Sequence, residues 1–240
     1  MNALLEVDGL RKYYGSLEAL KGISFQVNHG EVFALIGPNA AGKTTTLRIV
    51  ATLLSPSAGK VTLLGYDLRK EPEKFRERIS YLPEEAGAYR NLKGLDYLKF
   101  MARFYAHSDK EAEEIVERAR SIADLGPRLN EKAGTYSKGM IRKLLLARAL
   151  MTKPDLAILD EPTSGLDVIN ALEVREIIKK FAREGISILL SSHNMLEIEF
   201  LSDRVALIDK GVILDSGTPQ GLKEKYRANN LEEVFRSALR

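Results

Sequence analysis

The chain contains no cysteine, which excludes a disulfide framework and any thiolate metal site and fits a reducing compartment. Its opening stretch, MNALLEVDGLRKYYG, has no basic leader followed by an apolar segment and a cleavage site, so secretion is not expected. No uncharged run approaches the about twenty apolar residues that a membrane-spanning helix requires. Any connection to a membrane is therefore expected to run through another chain. Internal repeats and low-complexity tracts are also missing. Charge of either sign is nearly balanced, with 36 Lys+Arg against 33 Asp+Glu for a net +3. That is a weak pointer to acidic partners, and nucleic acid is not an expected partner. The 240 residues suffice to bury a sizeable core, as one large domain or as a core with an inserted subdomain.

What is present is an alternation of strand and helix patterns. LLEVDGL, ISFQV and the fully apolar VFALI read as strands, and a helix is predicted from about Gly42 to Leu53, stopped by the turn cluster SPSAG. KVTLLGYDL reads as a strand and turn, Pro72 as the start of a short helix, and RISYL as a further strand. From about Glu85 to Lys153 the pattern changes. LKGLDYLKFMARFYA and KEAEEIVERARSIADL carry apolar residues at helical spacing, and GPRLNEKAGTYSKGM is rich in turn formers. SKGMIRKLLLARALM then reads as an amphipathic helix capped by Ser137. Alternation resumes with LAILD, VINALEVREIIKKFARE, ISILLSS, NMLEIEFL, a strand pair in RVALIDKGVILDSG and the helical tail LEEVFRSAL. The expectation is an α/β fold: a mostly parallel sheet with helices on its faces, N-terminal antiparallel strands and an inserted all-helical subdomain. The expected division is a core of residues 1–85 and 154–240, with residues 86–153 as the insert.

The strand VFALI breaks into GPNAAGKT, residues 37–44. This is G-x-x-x-x-G-K-T between a strand and a helix, the context a phosphate-binding loop demands. Gly37, Pro38, Asn39, Ala40, Ala41 and Gly42 are expected to wrap closely round phosphate, so that backbone N–H groups form an anion nest at the positive end of the new helix. Lys43 then reaches the β- and γ-phosphates, the Thr44 hydroxyl ligates Mg²⁺ and Thr45 adds a hydroxyl contact. A glycine turn with a threonine cap is the simpler alternative for such a loop taken alone. The expected ligands are ATP and Mg²⁺, and no N-K-x-D guanine reader occurs. LAILDEP supplies the matching acids: Asp160 ends an apolar run and suits the metal, directly or through water. Glu161 follows it as a candidate to take a proton from the attacking water.

With these residues the chain resembles the ATP-binding subunits of ABC transporters, from about Val7 to the C-terminus. Residues 37–44 and 156–161 are similar to that family's Walker A and Walker B motifs, and SGLD, Ser164 to Asp167, to its D-loop. The resemblance implies that His193 in LLSSHN contacts the γ-phosphate and that Tyr14 in RKYYG, with Tyr13 beside it, stacks on adenine. It also implies that YSKGM, 136–140, stands where the family carries its signature motif, with Ser137 and Gly139 gripping the γ-phosphate of a partner. Two departures stand out. Lys138 replaces the usual first glycine and Met140 the glutamine, and Glu84, followed by Glu85, takes the place of a glutamine after SYLP. Glu84 can still ligate Mg²⁺, while adding negative charge beside the triphosphate.

The resemblance implies a head-to-tail pair of ATPase chains, identical or not, burying two Mg-ATP and driving a separate membrane-spanning permease from the inner face of the cell membrane. In such a pair Lys43, Glu161 and His193 are the catalytic residues. YLPEEAGAYRNL and NLEEVFRSAL further resemble the variants that serve drug, antibiotic or ion exporters. A soluble ABC-type ATPase acting on nucleic acid or the ribosome is the main rival, but such proteins usually carry a long coiled-coil insertion or a second cassette. A small-molecule kinase would share the loop but need neither YSKGM nor SGLD.

Overall fold

A computed structural model describes residues 3–240. Two long strands open it, β1 (Ala3–Tyr14) and β2 (Leu17–Asn28), followed by the short β3 (Val32–Ile36) and the helix α1 (Lys43–Val50). Next come β4 (Ala58–Leu63), β5 (Tyr66–Asp67), α2 (Pro72–Arg76) and β6 (Ile79–Leu82). Three helices follow without a strand between them: α3 (Gly94–Ala102), α4 (Asp109–Ala123) and α5 (Lys138–Leu150). The remainder is β7 (Leu156–Asp160), α6 (Val168–Arg183), β8 (Ser187–Ser192), α7 (Met195–Leu201), β9 (Arg204–Asp209), β10 (Val212–Gly217), α8 (Pro219–Tyr226) and α9 (Leu231–Ala238).

The strands form two sheets. One is antiparallel with the order β2-β1-β4-β5, and the other has the order β10-β9-β3-β8-β7-β6. In the second sheet every pairing from β9 to β6 is parallel, and only the edge strand β10 runs against its neighbour. The mostly parallel sheet and the N-terminal antiparallel strands are thus as expected. Parallel strands are buried on both faces, which is why VFALI and LAILD have no polar alternation. Along β3, Phe33 and Leu35 join a core shared with β1, β2 and α1, whereas Val32, Ala34 and Ile36 join another shared with the helices of the opposite face.

The three strandless helices pack into that second core, which runs without a break from Leu98 and Ile115 through Leu145 to Leu159 and Leu190. α4 buries Ile115, Val116, Ala119, Ile122 and Ala123 along one stripe, the helical period read from the sequence. The Ser137 hydroxyl accepts from the Met140 N–H at 3.2 Å, capping α5 as expected. Other details differ. β1 continues to Tyr14 beyond the alternating LLEVDGL, because its last residues, Lys12 to Tyr14, keep pairing with β2. α1 stops at Val50, and Thr52 at φ +60 turns the chain out of the helix. α8 adds a helix to the expected elements; Thr218 caps it and Pro219 starts it.

α1 follows the loop 37–42 and is anchored by Leu47, which has no exposed surface. Leu47→Ala is expected to lower the free energy of unfolding by about 2–5 kcal/mol, read from the midpoint of chemical denaturation at unchanged slope.

Candidate active site

Parallel order brings the carboxyl ends of β3, β8, β7 and β6 side by side, the place where open α/β sheets hold ligands. The registers Ile36↔Ser192, Ser191↔Asp160 and Leu159↔Leu82 align those ends. The loop after β3, His193 after β8, Asp160 and Glu161 at and after β7, and Glu84 beyond β6 therefore converge from four segments far apart in sequence.

The loop 37–42 is closely fitted. A Cβ on Gly37 would stand 2.0 Å from the Ile208 carbonyl oxygen, so only glycine lets the chain leave β3 there. Lys43 is 6 % exposed, and its Nζ donates to the carbonyls of Gly37 at 2.7 Å and Pro38 at 3.1 Å. The same Nζ lies 3.6 Å from Oε1 of Glu161, whose side chain is equally buried. The other Glu161 oxygen, Oε2, is 2.8 Å from Nδ1 of the half-exposed His193. Glu161 holds φ +47 to do this, a left-handed conformation uncommon outside glycine and of the kind retained at functional sites.

Asp160 is almost fully buried. The Thr44 hydroxyl donates to its Oδ1 at 3.3 Å, Ser191 Oγ donates to the same oxygen at 2.6 Å, and the Tyr81 hydroxyl donates to Oδ2 at 3.4 Å. Ser191 also accepts the Glu161 backbone N–H at 3.1 Å. Burial and the Asp160 charge together raise the pKa of Tyr81 above the ordinary phenol value. Among the described residues no group of three or more His, Asp or Glu forms a metal cage. One carboxylate and one hydroxyl make an all-oxygen set that suits Mg²⁺, which completes its shell with water and substrate phosphates.

A cavity of about 260 Å³ above the loop is lined by Tyr14, Leu17, Asn39, Lys43, Thr44, Thr45, Glu84 and Glu161. Tyr14 shows its ring there under Lys12 Nζ, 5.2 Å from the centroid. Tyr13 instead donates its hydroxyl to Glu18 at 2.8 Å, which separates the two adjacent tyrosines. Glu161 also lines a second cavity on its other side, together with His193 and the segment Thr163–Leu166.

Ser137 and Gly139 are not among the residues lining either cavity; they sit at the start of α5. Gly139 faces Asn170 of α6, where a Cβ would be 1.9 Å from Oδ1. The Lys138 ammonium rests on Gly165 of the SGLD loop. Sequence reasoning missed Ser191, whose signal was a pair of hydroxyls ending an otherwise apolar strand, and it missed the grip of Arg142 on the Glu84 carbonyl at 3.0 Å.

Ala40 adopts φ +62, which costs an L-residue about 1–2 kcal/mol; glycine avoids that but gives back about 0.4–1 kcal/mol in unfolded-chain entropy. Ala40→Gly is expected to raise stability by up to about 1 kcal/mol, seen as a small upward shift of the melting temperature, and Ala40→Val to lower it.

Comparisons with known proteins agree with this geometry. A family model described as ABC transporter matches residues 20–164. The linearmycin resistance ATP-binding protein LnrL of Bacillus subtilis (strain 168) is 36% identical over 236 residues, 98% of this chain and 76% of LnrL. The daunorubicin/doxorubicin resistance ATP-binding protein DrrA of Streptomyces peucetius is 37% identical over 95% of this chain and 69% of its own. A solved ATP-binding subunit of an ABC transporter superposes with TM-score 0.87 at 30% identity, covering 99% of this chain and 100% of that one. A family match over more than half of the sequence, and relatives aligned along nearly all of it, assign the protein: it belongs to the ABC transporter family, as a subunit that binds Mg-ATP and hydrolyses it.

Proposed function

We propose that the chain drives a separate membrane-spanning subunit, closing with a second ATPase chain around two Mg-ATP and opening after hydrolysis, and that the transporter exports small molecules of the drug or antibiotic kind. The position of Glu161 carries this reading: one carboxylate stands between the buried lysine of the phosphate loop and the histidine that follows the next strand.

Lys43 is held over the loop by two neutral carbonyls, acceptors that it can exchange for phosphate oxygens, which bind an ammonium more strongly. The loop amides and the N-terminus of α1 favour the same anion. Asp160 and Thr44 would hold Mg²⁺, which would neutralise negative charge on the phosphates. Glu161 takes the proton from the attacking water, and His193 fixes the carboxylate that does so and touches the γ-phosphate. Lys43 steadies charge as it develops on the phosphoryl oxygens. Tyr14 offers its ring to adenine, a stack worth about 1–3 kcal/mol, and Glu84 at the rim of the cavity would add a carboxylate oxygen to the metal.

Ser137 and Gly139 have no part in their own chain's cavity, yet they sit on a helix N-terminus with the dipole that attracts phosphate. A second copy set head-to-tail gives them a γ-phosphate and closes the open side of the phosphate loop. Residues 86–153 then move as a body against 1–85 and 154–240 and pass the motion on. Their outer face presents an aromatic ridge in which Tyr89, Phe100 and Phe104 meet edge-to-face at 5.9 and 5.1 Å, all three exposed. Apolar rings in water favour a protein partner, here the permease. No described helix is long and apolar enough to cross a membrane, and the proposed location is the cytoplasmic face, reached through that permease. The export reading is supported by the resistance roles named for LnrL and DrrA.

Glu161→Gln is expected to keep nucleotide binding while turnover falls about 10²-fold or more; unchanged turnover removes Glu161 from the role of base. Turnover per chain is expected to rise with protein concentration. Ser137→Arg should abolish that rise while a fluorescent ATP analogue still binds, and a rate independent of concentration in both proteins contradicts the paired site.

A further inference from the structure

Arg142 carries a charge that the chemistry above does not use. It lies on α5, five residues beyond Ser137, and is 7 % exposed. Its Nη2 donates to the Glu84 backbone carbonyl at 3.0 Å, whereas Nη1 is buried without a hydrogen-bond partner among the described residues. Burial pulls the guanidinium below its ordinary pKa, and the negative field of Glu84 works against that. A buried guanidinium with part of its fork unpaired is unfavourable unless a neighbouring charge compensates. The next residue shows what a paired cation on this helix looks like: Lys143 reaches Glu173 at 2.9 Å.

Arg142 is not alone in tying α5 to the site. Arg148, six residues further along the helix, donates to the Tyr81 carbonyl at 3.1 Å. α5 therefore grips the chain at the end of β6 and again just after it, at Glu84. The Glu84 backbone is held by the helix while Glu84 itself lines the phosphate cavity with Lys43 and Glu161. Two carboxylates thus flank a space meant for a triphosphate, and the nearby buried cation with no acid of its own is Arg142.

We propose that Arg142 is a positioning residue for hydrolysis: it fixes Glu84 at the rim of the phosphate cavity and offsets the charge that a carboxylate brings there. Its Nη1, unpartnered among the described residues, is the donor available to offset that charge. Because Arg142 rides on the helix that carries Ser137, the setting of Glu84 follows the position of that helix. The inference rests on the reading of Glu84 as facing Mg-ATP.

A double-mutant cycle tests it with Arg142→Met, Glu84→Gln and the pair together. Two quantities are read on the full chain: kcat with KM for ATP, and the Mg²⁺ concentration needed for half-maximal binding of a fluorescent ATP analogue, which requires no turnover. Each single variant leaves one charge unmatched and is expected to lower kcat about 10-fold and shift the Mg²⁺ requirement. The double variant, with neither charge, is expected to return to within about threefold of the parent in both readouts. A merely structural grip on the Glu84 carbonyl is indifferent to the side chain at that position; it predicts additive losses, and additive losses overturn the proposal. Arg142→Lys, which keeps the charge and loses the fork, repeats the cycle should the methionine variant melt early: it is expected to lose less than the methionine variant, and a loss as large overturns the charge argument. An inactive parent protein would count against the ATPase reading itself and is told apart by that control.

Discussion

A lysine ammonium with 6 % of its surface exposed is the constraint around which the molecule is arranged. Leaving such a charge unpaired in a protein interior costs several kcal/mol, so its surroundings must supply negative or carbonyl oxygen from fixed positions. Here two carbonyls of its own loop and one carboxylate oxygen do so. The loop carbonyls are presented only because the chain passes so close to Ile208 that no side chain fits at Gly37. The carboxylate is presented only because β7 lies one strand away from β3, with β8 between them. Fold and site are thus joined through a single buried side chain.

Glu161 is the counterpart on the other strand. Its left-handed backbone at φ +47 aims one oxygen at the lysine and the other at the histidine, and it walls two cavities at once. Strain of this sort persists when surrounding packing over-determines it, and β7, fully buried along its length, provides that packing. The helical part of the chain is tied to the same region from the opposite side, through the two arginine contacts of α5 with Tyr81 and Glu84. One helix thus touches both the end of β6 and the residue that lines the cavity beside Lys43.

The phosphate loop, the acidic pair and most strands were legible because each is written in a few consecutive residues: glycines at fixed offsets before a lysine, an apolar run ending in two acids, and short apolar or alternating runs bounded by turns. Ser137 as a helix cap was legible for the same reason. Ser191 and Arg142 were not, because their partners lie on segments that only strand order brings near, and no local pattern encodes the placement of β8 between β3 and β7. The distinction between Tyr13 and Tyr14 likewise depended on Glu18, on the strand paired opposite. α8 had its signals in Thr218 and Pro219, but it is short and carries little periodicity. The end of α1 turned on a threonine in a left-handed conformation, which composition does not disclose.

The hydroxyl of Ser191 donates to one acid of β7 and accepts from the backbone of the next. A single oxygen atom thus binds the Asp160 carboxylate and the Glu161 backbone at once. Any swelling of the space between these two strands would shift Asp160 and Glu161 together. Tolerance to substitution on either strand must then be shared, and a change on one is best repaired on the other.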